Sequence, residues 1–208
     1  MKKILKGKEP NEWTEYRMTP GAQYQAIPEL VKSLLEEQGY ICAYCMRRIP
    51  CKDGNSSEDH RIDHISCRAN NTDDQLNYKN MVICCPGAIE GKFHCDKKKG
   101  SSNISFTPFD DVFINSIKYK SSDGEISSTD NQWNQEINEI LNLNHDKLKE
   151  NRLTVLNSTI SFLGKKSWTQ SEIKKEFDKW NSKDKDGKFK PYCGVVLWFL
   201  NKRLKLSK

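Results

Sequence analysis

A chain of 208 residues has room for one compact domain, or for a small catalytic module with helical extensions, and none for two large domains. Hydrophobic residues are only 36% of it and charged ones 30%, yet the apolar positions recur periodically, which excludes a disordered chain and predicts a soluble globular one. The net charge of +6 favours an acidic partner, most commonly nucleic acid, although a solvated lysine-rich face would account for it equally well.

In chain order, Ile27, Leu30, Val31, Leu34 and Leu35 follow helical spacing after Pro28, and Gly39 is a natural stop, so a helix leads into Tyr40-Ile41-Cys42. Residues Pro50 to Ser57 are turn-rich, and Arg61 to Ile65 reads as a short alternating strand. A polar loop over 66–75 leads to a second apolar strand, Met81-Val82-Ile83. An irregular insertion, Pro86 to Phe93, precedes a basic helix opening at Cys95, so the order is β, β, α. Beyond it, Ile104 to Phe109 and Phe113 to Tyr119 are strand-like, and Asp123-Gly124 predicts a hairpin turn between Ile117-Lys118-Tyr119 and Glu125-Ile126.

From Trp133 the pattern turns helical: Trp133, Ile137, Ile140 and Leu141, then Leu153, Leu156, Ile160 and Leu163 with Gly164 as a stop. Thr169 to Glu172 is a capping box for a helix carrying Ile173, Phe177 and Trp180, and Pro191 can open a last helix. Lys183 to Asp186 reads as a solvated loop. The helical faces carry more large apolar residues than a small module can cover, which predicts a partner surface there. The longest apolar run, Val195 to Leu200, is far below the roughly 20 residues that span a bilayer, and no signal-peptide pattern follows Met1; no membrane contact and a cytoplasmic location are expected.

Eight cysteines without an export signal point to metal binding or catalysis rather than disulfides. Seven lie between Cys42 and Cys95; Cys193 stands alone in an apolar segment and reads as a packed thiol. Cys42-Ala-Tyr-Cys45 has the spacing with which two thiolates grip one tetrahedral zinc, and Cys84-Cys85 with Cys95, preceded by His94, can supply the rest. Cys51 and Cys67 read as spare. Between the cysteine pairs lie Asp63-His64 and Asn80, and Asp96 directly follows Cys95.

Read together, CAYC, IDHI, LNYKNMVICC and HCDKKKG resemble the HNH endonuclease family, in which Cys-x-x-Cys, Asp-His, Asn and a second cysteine pair followed by a metal-ligating residue recur in this order. The resemblance covers roughly residues 40 to 100, and the step from Asn80 selects Cys85 over Cys84. The Trp13 and Tyr16 region, GYICAYC, the LNLNHDKLKENR stretch and the tail from Pro191 extend it to the HNH effectors that accompany retrons and the Septu anti-phage system.

The resemblance implies an α+β protein with a zinc-knuckle ββα-metal nuclease module at 40–100, set between a helical lead-in at 1–39 and a hairpin with a helical partner-binding region at 101–208. It implies a structural Zn2+ on Cys42, Cys45, Cys85 and Cys95, and a catalytic Mg2+ or Mn2+ on Asp63 and Asp96. Asp96 departs from the commoner His or Asn of the family, which keeps His94 as the alternative ligand. His64 would be the general base and Asn80 the brace of the loop that orients it. Lys97, Lys98 and Lys99 are candidates for phosphate contact. Implied partners are DNA or RNA as substrate, an ATPase encoded nearby, and in retron versions a reverse transcriptase with its RNA–DNA product. An inactive zinc-binding adaptor that docks an ATPase is the rival reading. His60, ahead of the strand, reads as exposed; His145 reads as a surface or packing residue in a helix; Trp133, Trp168, Trp180 and Trp198 read as core or interface residues.

Overall fold

The computed structural model describes residues 1–50 and 60–205, so Cys51 and residues 51–57 of the turn-rich stretch lie outside the described residues. The N-terminal region holds α1 (Asn11–Met18) and α2 (Pro28–Glu37). In α2 the spacing of Leu30, Val31, Leu34 and Leu35 gathers four side chains on one face, and all four are buried. Gly39 ends the helix at φ +59°, and a Cβ there would lie 2.4 Å from the Phe189 ring, so both the backbone angle and the close approach demand glycine.

Two short strands, β1 (Arg61–His64) and β2 (Met81–Cys84), pair antiparallel with Asp63 opposite Val82 and His64 opposite Met81. The loop between them is irregular apart from single turns at Thr72–Asp74 and Tyr78–Asn80. All four residues of β2 are buried. Gln38 pins β2 to the end of α2: its side-chain amide donates to Ile83 O at 2.7 Å and accepts from Ile83 N at 2.8 Å. The stretch expected as an irregular insertion is instead a tight hairpin of β3 (Ala88–Ile89) and β4 (Lys92–Phe93). Glu90 and Gly91 turn it, both at positive φ as a two-residue hairpin loop requires. The hairpin delivers the chain to α3 (Cys95–Lys99).

Two strand expectations fail in the next segment. Residues 104–109 form no strand, and Phe113 to Ser116 belong to α4 (Asp111–Ser116), because the Asp110 side chain accepts from Val112 N at 2.8 Å and caps a helix there. The hairpin at Asp123-Gly124 is present, joining β5 (Ile117–Tyr119) to β6 (Ile126–Ser128). Gly124 sits at φ +77°, where a Cβ would meet Lys149 O at 2.3 Å.

The C-terminal part is helical. Here α5 (Asn131–Gln135) runs into a π turn over Glu136–Ile140, followed by α6 (Asp146–Gly164), α7 (Gln170–Asn181) and α8 (Cys193–Lys205). Thr169 accepts from Glu172 N at 3.3 Å and caps α7 as its sequence predicts. Pro191 does not open α8 directly: Tyr192 adopts φ +56° and donates its amide to Met46 O at 2.9 Å, so the helix starts at Cys193. Residues 183–188 close a tight turn, with Asp184 N donating to Lys188 O at 2.9 Å.

The helices α6, α7 and α8 cover one another. Leu156, Leu163, Ile173, Val196 and Leu200 are buried, and Phe162 is the large apolar side chain after Trp133 that is left exposed, at 40%. Trp133, Phe177, Trp180, Leu197 and Trp198 are only half-buried. Buried side chains from α2, the cysteine segments, β2 and α8 belong to one core cluster. The described protein is thus mixed, with helices and three two-stranded sheets, and no helix among the described residues is long and apolar enough to cross a membrane.

Candidate metal centre and active site

Cys42 and Cys45 lie on a turn closed by Met46 N donating to Cys42 O at 3.0 Å and Cys42 N to Arg47 O at 2.9 Å. Cys85 directly follows β2, and Cys95 opens α3 at φ +54°, its amide held by Leu141 O at 2.8 Å. These constraints bring the four buried sulfurs within 4.8 Å of one another. Cys42 Sγ and Cys95 Sγ are 3.8 Å apart, Cys45 Sγ and Cys85 Sγ 3.7 Å. A zinc tetrahedron with Zn–S bonds of about 2.3 Å has edges of about 3.8 Å, so the donor set fits one zinc ion, and the distances exclude disulfides. Burial pushes the Cys42 thiol up, but hydrogen bonds from the neighbouring thiols outweigh it and hold it well below the usual range, while burial drives Cys45 and Cys95 well above it. Cys84 is buried next to the group yet outside the four, as the resemblance implies.

Asp63 and His64 are consecutive in β1, so their side chains leave opposite faces. Asp63 turns inward: Oδ2 accepts from Tyr44 Oη at 2.5 Å and Oδ1 from Lys99 Nζ at 2.8 Å. Burial pushes its carboxyl up to about 7; Lys99 opposes that shift and the charge of Asp96 adds to it. Asp96 sits in the first turn of α3, where its Oδ2 accepts from Arg61 Nε. Each acid thus has its own cation, and the two cations differ in character. Lys99 has 0% of its side chain exposed, Arg61 48%.

The His64 ring packs edge-on against Tyr24, with centroids 4.6 Å apart, and its Nε2 lies 2.9 Å from Gln75 O. A carbonyl oxygen only accepts, so Nε2 carries the proton and Nδ1 keeps its lone pair. Burial lowers the His64 pKa to about 4, which leaves the ring neutral at pH 7. Asn80 braces the loop that follows: its Oδ1 accepts from Ser66 N at 2.8 Å, and its Nδ2 donates to Ser66 O at 3.0 Å and Asp74 O at 3.3 Å. For a divalent ion, Asp63 and Asp96 offer hard oxygens from adjoining elements, and a carboxylate has lone pairs beyond those in use here.

His94 is buried on the thiol side of Cys95, with Nδ1 3.1 Å from Cys95 Sγ and 4.0 Å from Cys85 Sγ, and its Nε2 makes no hydrogen bond. His145 is not in a helix body; it caps α6, its Nδ1 accepting from Lys147 N at 3.1 Å, and its ring lies 6.3 Å from that of His94. His60 is half-buried rather than exposed. Of the three candidate phosphate-binding lysines, Lys97 and Lys98 are exposed, Lys97 lying 4.5 Å over the Phe93 ring. Lys99 must be reassigned. Its ammonium is buried against Asp63 and also donates to His64 O at 2.8 Å, so it faces the core instead of a phosphate.

Sequence reasoning missed Tyr44, Arg61, Gln75 and Lys99 as partners of the acids and of His64. One signal was available: Cys95, Asp96 and Lys99 stand at i, i+1 and i+4, which in a helix puts Lys99 over Cys95 on the inward face. No protein-family model matches the chain, and neither does any curated protein.

Proposed function

We propose that the chain is a metal-dependent nuclease of the HNH type, hydrolysing phosphodiester bonds of nucleic acid, with a structural zinc on Cys42, Cys45, Cys85 and Cys95. The observation that carries this reading is the pair of carboxylates on adjoining elements, β1 and α3, with a neutral histidine of fixed tautomer next in the chain to one of them and on the other face of β1. His64 takes the proton of the attacking water on Nδ1, because Nε2 is committed to Gln75 O. Asp63 and Asp96 hold the divalent ion, magnesium or manganese for oxygen ligands, and that ion when bound supplies charge stabilisation at the phosphorus and the leaving 3′ oxygen. Asn80 keeps the loop after His64 in register through its three hydrogen bonds. Four protein ligands leave zinc no open position, so its role is structural.

Attack by water needs no 2′ hydroxyl and is not blocked by one, so DNA and RNA, including folded RNA of the transfer-RNA type, are both substrates to assay. The resemblance to retron and Septu HNH effectors supports a role in anti-phage defence beside an ATPase, and beside a reverse transcriptase with its RNA–DNA product in retron versions. A second reading, an inactive zinc-binding adaptor, is favoured by one observation: Asp63 and His64 are both buried, and both acids are already ion-paired.

The test is cleavage of total cellular DNA and RNA under magnesium or manganese, with and without the products of neighbouring genes, using His64→Ala as control. The nuclease reading expects cutting that His64→Ala abolishes while zinc content is unchanged. Near-normal cutting by that variant removes His64 from the mechanism, and no cutting in any combination leaves the adaptor.

A further inference from the structure

We infer that Arg61 is an exchangeable counter-cation that competes with a divalent ion for Asp96, so that ion binding and the position of Arg61 are coupled. The inference deepens the nuclease reading above and rests on its assignment of Asp63 and Asp96 to the ion.

Each carboxylate already has a cation, Asp63 with Lys99 and Asp96 with Arg61, and burial favours the protonated form of Asp63, so the group carries no surplus negative charge. A divalent ion entering that group adds two positive charges where none is lacking, so one resident cation must give way for it to bind well. Lys99 cannot be that cation. Its ammonium has no exposed surface and holds both Asp63 Oδ1 and His64 O at 2.8 Å, so displacing it would strand a buried charge.

Arg61 is placed differently. It begins β1, at the strand position opposite Cys84, with nearly half of its side chain in solvent, while the carboxylate it holds is only 9% exposed. A half-exposed guanidinium is already partly hydrated and can swing into water at small cost, releasing the oxygen that an ion requires. A phosphodiester brought to the site gives the freed guanidinium another anion, with the forked geometry arginine favours. Substrate and ion therefore favour each other's binding, which keeps the site weakly metallated until nucleic acid arrives.

The test measures metal binding without substrate. The zinc-loaded full chain is titrated with Mn2+, and the free Mn2+ spectrum is followed by electron paramagnetic resonance for wild type, Arg61→Gln, Lys98→Gln, Asp96→Asn and the Arg61→Gln/Asp96→Asn double variant. Zinc content and melting temperature show that each is folded. Arg61→Gln is expected to tighten Mn2+ binding about three- to tenfold, the range for losing a competing charged hydrogen bond with one exposed partner. Lys98→Gln removes an equal but solvated charge and is expected to change it by less than about twofold. Asp96→Asn should weaken binding, and adding Arg61→Gln to it should gain nothing. Equal, measurable binding by wild type and Arg61→Gln overturns the competition alone, as does a Lys98→Gln effect as large as that of Arg61→Gln. Absence of binding in both wild type and Arg61→Gln overturns the divalent site itself, and the competition with it.

Discussion

The ammonium of Lys99 ties the end of α3 to the middle of β1, lying 2.8 Å from Asp63 Oδ1 with none of its side chain exposed. Removing it leaves a buried acid without its cation, and breaking such a pair from one side costs up to about 3–5 kcal/mol, less what protonation of Asp63 recovers. Lys99→Met is therefore expected to lower the unfolding free energy of the zinc-loaded protein by that order in urea. Lys99→Met/Asp63→Asn should recover part of the loss, because the stranded charge is gone. A loss below about 1 kcal/mol for Lys99→Met would class the pair with exposed ones and contradict its burial.

Zinc binding should separate two neighbouring cysteines. Cys85 belongs to the sulfur tetrahedron and Cys84 does not, although both are buried. Cys85→Ser is expected to lose bound zinc and much of the thermal stability together, since structural zinc contributes about 10–16 kcal/mol in small modules. Cys84→Ser should keep one zinc per chain, at the cost of burying a hydroxyl in place of a thiol, about 1–3 kcal/mol. Zinc measured by mass spectrometry after exposure to a chelator checks both, and equal loss from the two variants would exchange their roles.

What was legible in the sequence is what periodicity and ligand spacing encode. Leu30 to Leu35 announced α2, Thr169 announced the cap of α7, and the Cys-x-x-Cys pair with Cys85 and Cys95 announced the metal cluster. The failures share a cause. The hairpin at Ala88 to Phe93 and the cap at Asp110 are made by backbone angles and a local hydrogen bond, which hydrophobic alternation does not register. Lys99 was misread because a run of three lysines looks solvated residue by residue; only the helical face shared with Cys95 shows that one must turn inward. Arg61 and Tyr44 were invisible as partners of the acids, because their contacts span 35 and 19 residues of sequence.

His64 gives the chain a pH signature. Folded His64 stays neutral down to about pH 4, whereas the unfolded side chain takes up its proton near 6.5. Between those values the unfolded state binds more protons, so this residue's contribution to stability is complete above 6.5 and falls away as the pH drops towards 4. The other acid-sensitive groups, the thiols included, are common to wild type and His64→Asn. The difference in unfolding free energy between the two should therefore shift in favour of His64→Asn as the pH falls from about 7 to about 5. A difference independent of pH over that interval would mean that His64 titrates as freely folded as unfolded.

Asp96 and His94 flank Cys95 and make opposite demands on experiment. The Asp96 carboxylate accepts from Arg61, while the His94 ring lies 3.1 Å from Cys95 Sγ and is wholly buried beside His145. Asp96→Ala removes one ion pair with a half-exposed partner, so stability should fall by no more than about 1 kcal/mol and zinc should stay bound. On the proposed nuclease reading, cleavage should fall about 100-fold or more, because the divalent ion would lose a hard ligand. Raising magnesium should restore part of the rate, since a weakened site is still filled by mass action. His94→Ala instead opens a cavity against the sulfur cluster and should cost about 2–4 kcal/mol, with zinc lost faster to a chelator. Its activity should then track the fraction of chains that retain zinc, with an unchanged magnesium dependence. Zinc content, melting temperature and cleavage rate across a magnesium titration, measured on both variants, separate the assignments. Wild-type cutting by Asp96→Ala, together with a folded, zinc-loaded and inactive His94→Ala, would move the second ligand of the divalent ion from Asp96 to His94.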